Sequence, residues 1–568
     1  MATYYVSSSA GADTNNGTSS STPFEHHPWD SNATNTANST TLSGDDIVYM
    51  KKGDTWYDFY ILVEDSGTSG HPIITTTKSD FGTGDNPVLS GSYDPSDLSF
   101  SADGGSYVAT GLATEPNIVV YNGTVLTEND GAGNTVGANE WDWDADGGNN
   151  SLWVNVGEDP DTGTLLAGKQ NYLILSTTGD YTTFQNLTIQ CGNLTSGGVI
   201  YTSGRTGIGI DHCLLQYSAV SMVRFLNSPS SFIDNSTVQK VKGTMISIEG
   251  SDNWRLYNNT IYGKTFSSTA SSTCIKIENS DSGDGYKNTI QDGWNGSYYG
   301  GGGNGAGIQV SGSSEANKFY RNKISGCYIG IVQVITSGND GNLYKFNEVI
   351  DSIVNCIDIQ ASGTNPPLIY NNTIIHNPNS NNNPAYTGHG LSFQVAALLG
   401  TAANNIIVVE VASENCNGIA ITDPGVCDFR LDYNHYYVTA SGNYGNINGT
   451  NYNSLANWKT AIQGDAEVSN LAGTSNLAEA NGNDGDPLFV SATDFHLTSP
   501  SPCINAGTDP FSDGDGDQYD LSGNLVWSDT TDSPVGYWEG GVEIGAYAFP
   551  PSGETRRRGL MRMGPRMR

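Results

Sequence analysis

Four carboxylates stand close together near one end of this chain, at Asp513, Asp515, Asp517 and Asp520, with glycines between the first three. Ca2+ takes roughly six to eight oxygens from a flexible loop, and this spacing supplies several of them. The distal Glu of an EF-hand is missing, and an acidic solvated turn would use the same residues. A second group is aromatic. Trp294, Tyr298 and Tyr299 precede the glycine run 300–303, and such ring faces beside amides are what neutral sugars dock on; a surface decoration or a subunit contact is the competing reading. A third group is basic: Arg205, Arg224, Lys240, Lys242, Lys264 and Lys276 cluster where cations are otherwise scarce. Proton abstraction needs a base of lowered pKa beside a charge-neutralising partner. Lys240, Lys242 and Arg224 are the candidates for that pairing, against plain surface solvation. Last, Arg556, Arg557, Arg558, Arg562, Arg566 and Arg568 lie in a tail without apolar period, a composition that usually contacts nucleic acid or an acidic protein surface rather than folding alone; a vestigial tail is the competing reading.

The elements that must position these groups are written as a repeat. Between Phe184 and Val438 a short phrase recurs ten times, as in Phe184-Gln-Asn-Leu-Thr-Ile-Gln190, Leu256-Tyr-Asn-Asn-Thr-Ile-Tyr262 and Ile369-Tyr-Asn-Asn-Thr-Ile-Ile375. Taking Asn186, His212, Asn235, Asn259, Asn288, Asn322, Asn347, Asn372, Asn405 and Asn434 as register marks gives steps of 26, 23, 24, 29, 34, 25, 25, 33 and 29 residues. A strand-like repeat of this period predicts a solenoid. Each phrase alternates apolar with polar residues, the signature of a half-buried strand. Leu187, Ile189, Leu214, Val238, Ile261, Ile290 and Ile324 are the expected inward positions. Asn tolerates the left-handed backbone of a sharp corner, and stacked Asn side chains can hydrogen-bond from coil to coil. At strand spacing, ten coils make a rod on the order of 50 Å, with each coil supported by its neighbours and both ends needing caps.

This pattern resembles the right-handed parallel β-helix proteins of the pectate-lyase-like class, and the handedness comes from that resemblance. The expected fold is therefore all-β: a right-handed parallel β-helix solenoid with a small β insertion and an extended basic tail. Residues 1–92, including Gly44-Asp-Asp-Ile-Val-Tyr-Met-Lys-Lys-Gly-Asp-Thr-Trp56, are similar to the N-terminal cap and first coils of that class. Residues 93–166 break the pattern and predict a β-rich insertion, whose three tryptophans suit either a sugar platform or a small core. Residues 167–440 form the central helix. Residues 441–550, with Asp486-Pro-Leu-Phe-Val490 and Val542-Glu-Ile-Gly-Ala-Tyr547, resemble closing coils and cap, and one helix is expected at Ser454–Ile462. Residues 551–568 are the Arg-rich tail.

Lyases of this class use Lys or Arg, with calcium or carboxylates, to neutralise a uronate and take the proton beside it. The resemblance thus implies a polysaccharide lyase or glycoside hydrolase as one reading. Thr387-Gly-His-Gly-Leu-Ser392 superficially matches a histidine motif of polygalacturonase-like hydrolases, but the paired aspartates such enzymes need are missing upstream. A turn histidine is the expectation for His389. Asp234 with Glu249, or Asp351 with Asp358, could supply carboxylates, as could chance in so acidic a chain.

Net charge is −35, spread unevenly: residues 551–568 carry +5 and residues 1–550 carry −40. Such a body repels nucleic acid and membrane surfaces and can recruit divalent cations. No apolar run is long enough to span a bilayer, and Met1–Val6 has neither the basic nor the apolar region of a secretory signal. Eight cysteines show no metal-ligand spacing and are expected as small buried hydrophobes. The β-helix, the missing export signal and the basic tail together look like a phage virion surface protein of the tailspike type. That resemblance implies host-surface polysaccharide and other virion proteins as partners, a homotrimer, synthesis in the host cytoplasm and anchoring by the tail. A non-catalytic capsid decoration protein, and a secreted enzyme, are the alternatives.

Overall fold

The structure, a computed structural model, describes the chain except residues 132–134, 145–149, 264–272, 293–304, 336–340, 362–364, 378–387, 397–398, 411–415, 423–427, 440, 466–467, 472, 474–476, 509–517, 520–524, 529–532, 535–541 and 548–568. Three long sheets, of 14, 13 and 13 strands, run along it. Each coil of the central region gives one strand to each sheet. In one such coil Phe232–Asp234 joins the first sheet, Thr237–Val241 the second and Ile246–Glu249 the third, before Arg255–Tyr257 returns to the first. Neighbouring coils pair in parallel, residue for residue, as in Leu215↔Val238 and Val238↔Ile261. Parallel strands joined by crossovers wind right-handed almost without exception, and the chain is the right-handed parallel β-helix expected from its repeat together with its resemblance.

Alternation within each three- to five-residue strand decides what faces in. In the second sheet the inward column runs Ile189, Leu215, Val238, Ile261, Ile290, Ile324 and Val349, all buried. One apolar core continues from Val6 to Ala478. Leu214, expected inward, pairs with Thr188 and Thr237 and faces out; two leucines stand side by side there, and Leu215 takes the inward place.

The register marks shift by one residue at the asparagine corner between the first and second sheets. Its inner position is held by Cys213, Ser236, Asn259, Asn288, Asn322, Asn347, Asn372, Asn405 and Asn434. From Cys213 to Asn405 each backbone N–H in this row donates to the side chain of the next coil, 23 to 34 residues on. Asn186, His212 and Asn235 sit one residue earlier, at the left-handed bend itself, with φ of 56°, 52° and 51°. From Asn259 to Asn405 each Nδ2 also reaches the next Oδ1 at 2.9–3.0 Å and a carbonyl of the preceding coil, such as Phe319 for Asn347. Buried amides are tolerated there because every donor is used.

Between Val88–Ser90 and Ile174–Ser176 the chain leaves the helix. Glu140–Asp144 and Ser151–Asn155 form an antiparallel pair extended by Ser106–Ala109 and Ser101–Asp103. Trp141 lies in the core of this insertion, 1% exposed, with Leu152 and Val154. Trp143 packs against the same core, and Trp153 donates through Nε1 to Asp103 at 3.2 Å. The tryptophans therefore point to different faces and form no common platform. A smaller sheet of the insertion, built on Val119–Tyr121, packs on Cys191, Tyr217 and Ala219 of the coils.

At the other end a helix spans Leu455–Gln463, capped by Ser454, whose side chain accepts from the backbone of Asn457; Trp458 and Ile462 seal the core. The hairpin Phe489–Ser491 and Asp494–Leu497, with Ile544 and Tyr547, covers the outer face of the second sheet over Ile375 and Val408. The seven described cysteines are buried and unbridged; Cys427 lies outside the described residues.

Candidate functional site

Outward positions of the third sheet line up from coil to coil. One column runs Tyr201, Arg224, Ser247, Lys276 and Gln309; the column beside it runs Leu226, Glu249, Glu278 and Ser311. Their strands read apolar-x-apolar, as in Ile246-Ser-Ile-Glu249 and Ile275-Lys-Ile-Glu278, so the inward isoleucines fix the outward direction of the polar residues. The insertion departs from the corner between the second and third sheets, which places it beside this face.

Charges alternate along the strip. Arg224 grips Glu249 in a two-pronged pair, Nε at 3.1 Å and Nη2 at 2.7 Å, the fork geometry of guanidinium on carboxylate. Ser247 donates to the same carboxylate at 2.6 Å. Burial by itself would raise the Glu249 carboxyl; the hydrogen bonds from Arg224 and Ser247 and the nearby Lys276 outweigh it and hold the group below its ordinary range. The hydrogen bond to Glu249 raises Arg224 further still. Lys276 meets Glu278 at 2.7 Å. At the strip's start the Arg224 guanidinium stands 6.0 Å over the ring of Tyr201, which lies 5.7 Å from the ring of Tyr172.

Further along, the same column becomes closed. Val332, Asp358, Ser392 and Ala420 continue it in register and are all buried. Asp358 accepts from Gln360 at 2.9 Å and from Gln394 at 2.9 Å on each oxygen. Burial pushes its carboxyl up against the opposing pull of those amides.

The basic candidates separate in space. Arg224 and Lys276 share the strip. Lys240 stands at the neighbouring corner, where Nζ donates to the Gly123 carbonyl at 2.9 Å and meets the Tyr217 hydroxyl at 3.2 Å. Lys242 lies 3.5 Å from Glu128. Both ammonium groups thus hold the insertion to the coils and do not reach the strip as a base. Arg205 donates to Thr178 on the opposite side of the third sheet, at the turn leading to the first, and Lys264 lies outside the described residues. Asp234 belongs to the first sheet, where Arg255 holds it at 2.5 Å, so it forms no pair with Glu249. Asp351 borders a separate cavity of about 590 Å³ between the second sheet and the C-terminal hairpin and is likewise apart from Asp358. His389 begins a strand rather than a turn; burial lowers its pKa to about 4, and Nδ1 lies 3.2 Å from the Asn417 side chain.

Trp294, Tyr298 and Tyr299, the carboxylates Asp513, Asp515, Asp517 and Asp520, and the six tail arginines all lie outside the described residues. Among the described residues no group of three or more His, Cys, Asp or Glu could hold a metal ion, and no helix is long and apolar enough to cross a membrane. Sequence reasoning passed over Tyr172, Tyr201 and Glu278. The signal available for two of them was an outward position next to an inward isoleucine, Tyr201 after Ile200 and Glu278 after Ile277; Tyr172 precedes its strand and carried no such signal.

No protein-family model matches the chain, and no curated protein matches it. Among solved structures it is similar to "The complex structure of XylC with xylose", at 13% identity over 85% of this chain and 82% of that one, with a TM-score of 0.49. It is similar to pectate lyase Pel9A at 14% identity over 96% of each chain, TM-score 0.44. It is also similar to the GH136 lacto-N-biosidase from Eubacterium ramulus at 13% identity over 83% of this chain and 68% of that one, TM-score 0.37. At this distance their activities are not carried over to this chain.

Proposed function

We propose that the third-sheet strip binds a polysaccharide chain laid along the rod. The observation that carries this reading is the in-register run Tyr201, Arg224, Ser247, Lys276, Gln309 with Glu249 and Glu278 beside it, opened by the Tyr172–Tyr201 ring pair. Aromatic faces next to forked charge pairs and hydroxyls supply the apolar contacts and directed hydrogen bonds that sugar rings need. Successive coils repeat about every 4.8 Å, so one sugar residue meets about one coil. Glu249 and Glu278 occupy the same position on adjacent coils, but each is held by a cation of the strip, so the pair is read as part of a binding surface and not as the two carboxylates of a glycoside hydrolase. A uronate lyase reading has less support, because Arg224, Lys240, Lys242 and Lys276 are each engaged by a partner. Affinity electrophoresis through gels containing polysaccharide tests the reading: a retained protein whose retention falls at least tenfold in Tyr201→Ala is the expected result. Retention equal in both would overturn it.

The finer assignment, a phage virion surface protein made in the host cytoplasm, is supported by the +5 tail at residues 551–568 set against the −40 body. In that reading the polysaccharide belongs to the host surface, the rod assembles as a homotrimer, and Arg556 to Arg568 anchor it to other virion proteins. The carboxylates Asp513, Asp515, Asp517 and Asp520 would then take Ca2+. Deleting residues 551–568 should leave the rod folded and prevent incorporation into particles; normal incorporation would sink the anchor.

A further inference from the structure

Resting on the polysaccharide reading of the strip, we infer that its ligand is an uncharged glycan and that the strip excludes uronate polymers. Every charge on the open part of the strip is matched within it. Arg224 is held by both oxygens of Glu249, and Lys276 by Glu278. A uronate carboxylate could take the fork of Arg224 only by displacing Glu249, and at the remaining outward N–H groups it would stand beside the Glu249 carboxylate, two anions sharing one cation. Glu249 is further tied down by Ser247, and its carboxyl feels Lys276 as well as Arg224, so both cations already serve the same anion. The rest of the molecule reinforces the exclusion, since a body of −40 repels a polyanion before contact. A neutral sugar meets no such penalty. Its hydroxyls can accept from the outward N–H groups of Arg224 and donate to carboxylate oxygens while both ion pairs persist, and its ring faces suit Tyr172 and Tyr201. The Arg224–Glu249 pair therefore works as a selectivity element, an attraction for hydroxyls joined to a repulsion against acids.

The full chain is titrated with neutral polymers (laminarin, galactomannan, xylan) and with uronate polymers (polygalacturonate, alginate) at low and high salt. The expected result is binding to at least one neutral polymer, insensitive to salt, and at least tenfold weaker binding to both uronates. In Glu249→Gln/Glu278→Gln, Arg224 and Lys276 lose their anions, and uronate binding should rise at least tenfold at low salt and vanish at high salt. Should that double variant melt early by circular dichroism, the more exposed single variant Glu278→Gln must show the same change in smaller degree. Wild-type binding to uronates as tight as to neutral polymers, with Tyr201→Ala weakening both, would overturn the inference and leave the strip a glycan site. Binding to no polymer at all, or binding indifferent to Tyr201→Ala, would remove the underlying reading itself.

Discussion

The asparagine corner and the third-sheet strip follow the same rod in the same register, yet they meet opposite demands. At the corner one residue type repeats, because each buried amide must fit the amide above and the amide below. Along the strip the residue changes at every coil, from Tyr201 to Arg224 to Ser247 to Lys276, because each side chain answers to its neighbours and to water. Repetition marks what holds the solenoid together; variation at a fixed outward position marks what it presents.

Breaking the corner should have the largest effect. Asn347→Ala removes the Oδ1 that accepts from both the backbone N–H and Nδ2 of Asn322, and the Nδ2 that donates to Asn372 and Phe319. Two stranded buried donors at about 1–3 kcal/mol each predict a loss of roughly 4 kcal/mol. Because coils support only their neighbours, hydrogen exchange should quicken first around residues 317–325 and 343–350 and spread outward. An unchanged melting temperature with unchanged exchange would show the ladder to be dispensable.

The corner ends on a carboxylate, which makes the comparison sensitive to pH. Glu479 replaces the next asparagine: Asn434 donates its backbone N–H to Oε1 at 2.8 Å and its Nδ2 to Oε2 at 3.0 Å. Burial pushes this carboxyl up to about 7, hydrogen bonds from Asn434 opposing. In the unfolded chain the same group titrates near ~4.3. Between those values the folded state keeps a proton that the unfolded state has lost, so its contribution is full below about 4 and falls as pH rises to about 7, by on the order of 3 kcal/mol. Glu479→Gln cannot titrate and should remove that decline. His27, His376 and His389, held neutral by burial with pKa values down to about 3, 3 and 4, act in the opposite sense and weaken the fold as pH drops below about 6.5. The informative quantity is thus the difference between the wild-type and Glu479→Gln melting profiles from pH 5 to pH 8. Parallel profiles would show that Glu479 is ionised throughout.

This contrast also explains what the sequence disclosed. The solenoid was legible because Asn-x-apolar recurs at the corner, where geometry allows few substitutes. The phase was misread in the early coils because two adjacent positions favour the same residue type: the bend wants Asn for its positive φ, and the inner corner wants Asn for its amide. Where both are Asn, as at Asn371–Asn372 and Asn404–Asn405, the repeat marks the inner one; where the inner one is Cys213 or Ser236, it marks the bend residue His212 or Asn235. The strip was largely illegible. Basic residues stood out by scarcity, but which of them has a carboxylate opposite depends on coils 25 residues apart, as for Arg224 and Glu249. Lys240 and Lys242 are basic like Arg224, but they stand at the end of a second-sheet strand and face the insertion, while Arg224 stands in a third-sheet strand.

The smallest expected effect separates those two kinds of cation. Lys240→Met keeps the length and apolar stem of the side chain but removes the donor to the Gly123 carbonyl and the charge 5.0 Å over the Tyr217 ring. Lost hydrogen bonding of this partly exposed kind amounts to about 1 kcal/mol, and it should be felt locally. Exchange in the Val119–Tyr121 sheet of the insertion should quicken, while the coils beyond residue 250 keep their protection. Polysaccharide retention should persist, because Lys240 reaches the insertion and not the strip. Loss of retention with the insertion still protected would instead give Lys240 a direct role in the ligand's path, and the boundary drawn here between tether and strip would have to move to include the second-to-third corner.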